Sequence, residues 1–170
     1  GDLRKALLGS SGLIQADDEA HTAEHSIEVQ LPILQAMQKE FTFVPIVVAS
    51  EDFKSYRTAG EEIARAVKGL GIEKEVVIIA SSDMTHYEPQ EAAKRKDSSA
   101  IDAILALDEE RLTKVVSEFD ISMCGYAPAI VMISAAKTLG AKTAKLIKYQ
   151  TSGDVTGDKS SVVGYAGIIV

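Results

Sequence analysis

The sequence predicts an α/β fold, a layered α/β/α sandwich around a mixed central sheet. Three observations carry that expectation. Helical and strand periodicities alternate along the chain instead of falling into separate blocks. The run EVVIIA at 75–80 is almost uninterruptedly apolar, as a strand covered on both faces should be. No solenoid-spaced repeat or low-complexity linker divides the 170 residues, so one domain is expected over 1–170.

In chain order, Asp2 to Leu8 reads as a short helix. From about Glu24 to Lys39, Ile27, Leu31, Leu34 and Met37 recur at helical spacing. Pro32 lacks an N–H and crowds the preceding turn, which places a kink or restart near Leu31. FTFVPIVVA (41–49) is rich in β-branched and aromatic residues and reads as a strand, with Pro45 marking an edge or an irregular stretch. Helical spacing returns over Phe53 to Gly69, with Ile63, Ala66, Val67 and Leu70 on one side and Gly71 as the stop. Beyond 75–80, helices are expected over about Gln90 to Leu107, Asp108 to Phe119 with Asp108 as N-cap, and Pro128 to Leu139 before Gly140. Two closing strands, AKLIKYQTS and SVVGYAGIIV, flank the turn-rich GDVTGDKS.

Composition narrows the function classes. A net charge of −7, with lysines and arginines scattered among acids, argues against a nucleic-acid surface held by phosphate contacts. No apolar run approaches a membrane span, and GDLRKALLGS does not read as a signal peptide, so no membrane partner is expected. A single cysteine forbids an internal disulfide and fits a reducing compartment, so the expected location is cytoplasmic.

In open α/β sheets, chemistry gathers where loops leave the strand C-termini. That rule points to SSDMTHYEP (81–89), which carries Asp83 and His86. A histidine there can serve as a general acid or base. Equally, Ser81, Ser82 and Asp83 could cap the next helix and leave His86 solvated. His21 and His25 stand four apart and could chelate a metal if one helix ran through both. Thr22 and Glu24 look like helix entry, which would point His21 elsewhere. Cys124 precedes a helix start, where the dipole favours a thiolate, although most free cysteines are small buried hydrophobes. Asp154 and Asp158 lack calcium-loop spacing and fit a tight turn. The G-x-S-x-G elbow, the Walker loop and a G-x-G-x-x-G after a strand are all absent, which disfavours serine hydrolases, P-loop NTPases and Rossmann dehydrogenases.

Taken together, EHSIEVQLPILQ, ASSDMTHYEP, MCGYAPA and TSGDVTGD resemble the Memo family, whose prokaryotic members are called AmmeMemoRadiSam system protein B. The likeness runs from about Asp17 to Gly167. It implies the fold of LigB-type class III extradiol dioxygenases, which are non-haem iron enzymes that open catechol rings. It further implies His25 and Cys124 as metal ligands, with Cys124 standing where the dioxygenases have a glutamate. His86 matches their acid–base histidine, Asp83 becomes a pocket residue beside it, and His21 matches no ligand.

The family's first ligand, a histidine in a PHAGY-like motif on an opening strand, has no counterpart here. The resemblance therefore implies a truncated Memo-like domain, incomplete on its N-terminal side, with weakened metal affinity and a ladder edge open to a homo-oligomeric contact. The implied cofactor is iron(II); a thiolate ligand makes copper or zinc credible, and a chain short of one ligand leaves open the alternative that no metal is held. The implied function is a metal-dependent oxidoreductase with a dioxygenase-like pocket. Its alternative is a non-catalytic protein that recognises a peptide or a partner protein through that pocket. A radical-SAM system partner is a further expectation from the family's name.

Overall fold

The computed structural model describes residues 1–49 and 52–170. Among these the elements follow in the order α1 (Asp2–Ser10), α2 (Leu31–Met37), α3 (Phe53–Leu70), β1 (His86–Glu88), α4 (Gln90–Leu105), α5 (Glu109–Glu118), α6 (Tyr126–Leu139), β2 (Lys145–Thr151), α7 (Gly153–Thr156) and β3 (Val162–Ile169). Short 3-10 turns occupy Glu19–His21 and Glu28–Gln30.

Local chemistry accounts for several helix ends. Asp52 accepts the Ser55 N–H at 2.7 Å and opens α3, while Gly71 ends it at φ +67°. Asp108 accepts the Arg111 N–H at 2.9 Å and opens α5. Gly140, at φ +110°, ends α6. Pro32 lies in the first turn of α2, where a missing N–H breaks no helical bond, so the expected long helix becomes a 3-10 turn followed by α2.

Helix α6 is the centre of the core. Ile130, Ile133 and Ala135 are sealed, and Ala127, Ala129, Val131 and Ser134 are nearly so. A helix apolar on most sides belongs inside, and α3 crosses it closely. Gly60 makes the crossing possible: a Cβ there would strike the Val131 carbonyl and come 2.7 Å from Ser134 Cβ. The Ser134 hydroxyl spends its proton on the Arg57 carbonyl of α3 at 2.9 Å, so the buried polar group is satisfied.

The expected α/β class holds, with a sheet of order β1-β3-β2. Its pairings are all antiparallel, where the sequence leads one to expect a mixed sheet. The closing strands appear at β2 and β3 as expected. Strand β1 pairs His86 with Val163 inside a stretch that reads as loop.

Two expected strands do not form. The runs 41–49 and 75–80 carry no ladder pairing among the described residues. A strand needs a neighbour for its backbone groups, and apolar composition does not supply one. Ile78, Val44 and Val48 pack on the helical core, whereas Val77 is 83% and Ile79 50% exposed. The run read as covered on both faces is thus covered on one.

Two outcomes follow for urea denaturation. Gly60→Ala should cost about 1–3 kcal/mol through overpacking at the α3/α6 crossing, rather than improve the helix. Ile133→Ala should cost about 2–5 kcal/mol, whereas Val77→Ser should stay within about 0.5 kcal/mol because that side chain touches little.

Candidate metal centre

The loop at 81–85 is fixed at both ends of its backbone. Gly164 of β3 accepts the Met84 N–H and donates its own N–H to the Thr85 carbonyl, both at 2.9 Å. The Thr85 N–H goes to Asp97 Oδ1 on α4, also at 2.9 Å. Met84 and Thr85 are buried, so the side chains on either side of them, Asp83 and His86, emerge from an anchored backbone. The next N–H, that of His86, is donated to Ser122 Oγ at 2.7 Å.

Cys124 arrives from the other side, just ahead of α6. Ser82 Oγ accepts the Gly125 N–H at 2.9 Å and donates to the Asp83 carbonyl at 2.6 Å, which stitches the two segments together. Gly125 is required by this approach, because a Cβ there would collide with Ser82 Cβ and lie 2.6 Å from the Ser81 carbonyl. The Asp83 N–H then points at Cys124 Sγ across 3.3 Å. The sulfur therefore has a backbone donor and an exposed approach.

Asp83, His86 and Cys124 converge so that one ligand atom from each lies within 4.8 Å of the others. His86 Nε2 stands 3.5 Å from Asp83 Oδ2; the histidine side chain is 22% and the aspartate 47% exposed. Bonds of about 2.0–2.3 Å to a tetrahedral ion would set such donors about 3.5 Å apart. The set is therefore open by roughly an ångström, within reach of side-chain rotation at an accessible site. Thiolate, imidazole and carboxylate together suit iron, zinc or copper. The residues fit a metal.

The remaining histidines lie elsewhere. His25 is exposed and outside this group, with Nδ1 3.1 Å from Glu28 Oε2. Its segment is nevertheless tied to the loop, since Gln30 Nε2 donates to Ser81 Oγ at 3.0 Å. His21 closes the turn Glu19–His21 and lines a cavity of about 320 Å³ among Leu7, Ile14, Val44 and Tyr56. No helix runs through both histidines, so the four-residue spacing does not place them on one face.

Tyr87 adjoins the site with an unusual backbone. It is 80% exposed at φ +59°, and its ring lies 5.8 Å from that of His86. Tyr165 stands on the same side: burial, then the nearby charges of Asp83 and Tyr87, push its hydroxyl above the ordinary value. Sequence reading saw Ser82 only as a possible helix cap, and missed Ser122 and Asp97. The serines had no signal for these roles, because serines in loops are common. Asp97 had one: it sits among Ala93, Ala100, Ile101 and Ile104 on the apolar face of α4.

Comparison with known proteins now places the chain. The family described as Memo-like protein matches residues 1–169. A MEMO1 family protein of Methanocaldococcus jannaschii is 49% identical over 162 residues, covering 93% of this chain and 56% of the relative. One from Methanopyrus kandleri is 46% identical over 165 residues, covering 96% and 58% respectively. One from Methanococcoides burtonii is 49% identical over 170 residues, covering 99% and 62%. The chain thus spans less than two thirds of the length of these relatives. With such identity along nearly its whole length, the chain belongs to the Memo-like protein family.

Proposed function

We propose that this chain contributes part of a non-haem metal centre in an oxidoreductase, with Cys124 as the anchoring thiolate. The convergence of His86 and Asp83 on Cys124 supports this reading, because it sets an acid–base pair within 4.8 Å of the sulfur that would hold the metal. His25 is the second ligand, on the segment tethered by the Gln30–Ser81 bond. Its present partner, Glu28, is an exposed neighbour, and such pairs are easily exchanged.

Iron(II), when bound, would supply open coordination positions and redox chemistry, with copper or zinc as rivals for a thiolate-containing site. The chain's own side chains do the rest. His86 gives and takes the proton at Nδ1, while Asp83, 3.5 Å from the other ring nitrogen Nε2, orients the ring. The Asp83 N–H faces the Cys124 sulfur at 3.3 Å and fixes its position. Tyr87, exposed beside His86 in a costly backbone conformation, lines the approach, and such strain concentrates at functional sites.

Anaerobic titration of the chain with cobalt(II), a spectroscopic stand-in for iron(II), tests this. One equivalent should bind with a sulfur-to-metal charge-transfer band that Cys124→Ala abolishes. His25→Ala should weaken binding about tenfold or more. His86→Ala should leave the band in place while oxygen consumption by the iron-loaded chain is lost. Identical titrations of the parent and Cys124→Ala would overturn the reading.

A further inference from the structure

We propose that Asp97 is a positioning residue, holding the loop between Asp83 and His86 at the distance from Cys124 that the site requires. The inference rests on reading those three side chains as the site. Asp97 is fully buried in α4, although the surrounding face is alanine and isoleucine. An apolar residue would fill that place without the cost of desolvating a polar side chain.

Its two oxygens are both committed. Oδ1 accepts the Thr85 N–H at 2.9 Å, and Oδ2 accepts the Tyr149 hydroxyl at 2.6 Å. Burial first, and then the bond to Asp97, push the Tyr149 hydroxyl well above its ordinary value, so it remains a donor. The backbone of β3 closes over the carboxylate at Gly164, where a Cβ would run into Oδ2. Asp97 thus links β2, β3 and the loop at one point.

Thr85 cannot hold itself. Its hydroxyl is buried with no hydrogen-bond partner among the described residues, so its place depends on backbone bonds to Asp97 and Gly164. Thr85 directly precedes His86 and lies two residues past Asp83. A shift of its N–H moves both the imidazole and the Asp83 N–H that faces sulfur.

The test compares Asp97→Ala, Asp97→Asn and Tyr149→Phe in the 170-residue chain. Asparagine can accept from Thr85 through Oδ1 and donate to the Tyr149 oxygen, so it keeps both links; alanine keeps neither. Asp97→Ala should weaken cobalt(II) binding about 10- to 100-fold, the range found when a group that supports a metal site from outside is removed. It should also slow the reaction of Cys124 with a disulfide reagent in the metal-free chain, as the supporting N–H moves away. Asp97→Asn should restore both to the parent level, and Tyr149→Phe should shift both in the alanine direction by less. If the parent binds no cobalt(II), the metal reading fails, and the metal-free thiol rate still decides the positioning role. Should Asp97→Ala not fold, Tyr149→Phe with parental thiol rate and affinity overturns the proposal. Equal losses in the asparagine and alanine variants, tracking their melting temperatures, would show a structural role alone and overturn it as well.

Discussion

Gly164 gives both of its backbone groups to the two residues between Asp83 and His86, and the candidate site depends on that clamp. The bonds run to Met84 and Thr85, whose side chains are buried. A buried backbone group without a partner is costly, so the loop has little freedom to leave the strand. Side chains on either side of the clamp inherit its rigidity. The absence of a Cβ at Gly164 is what lets α4 come close enough to add the bond from Asp97.

The helical core supplies the other half of the site. Helix α6 is buried along most of its length and cannot shift without disturbing its crossing with α3. Cys124 stands just ahead of its first turn, so the sulfur is carried on the most deeply packed element of the molecule. Ser82 and Ser122 join this support to the clamped loop through short hydrogen bonds. Asp83, His86 and Cys124 therefore sit between two well-packed segments while remaining accessible to solvent themselves.

The same packing leaves another part of the chain half covered. The runs 41–49 and 75–80 rest one side on the core and turn Phe43, Val47, Val77 and Ile79 outward. Their composition is that of interior strands, and their backbone lacks ladder partners among the described residues. Such surface is normally covered in a folded protein. The site lies at the far end of the second run, since residue 80 leads directly into the clamped loop.

How far the sequence alone reached is visible element by element. The helices and their ends were legible at Asp108, Gly71 and Gly140, because capping and left-handed stops are settled within a few residues of the chain. The loop after residue 80 and Cys124 were legible as candidate positions, the first from its place after an apolar run and both from motif likeness, and the structure brings them together. Tertiary structure alone decided the rest. It brought Cys124 to Asp83 across 41 residues, gave Asp97 its bonds to Thr85 and Tyr149, 12 and 52 residues away, and left 41–49 and 75–80 without ladder partners among the described residues. The physical reason is common to all three. Caps and turns depend on neighbours in the chain, whereas ladder pairing, burial of a carboxylate and convergence of ligands depend on which distant backbone arrives alongside.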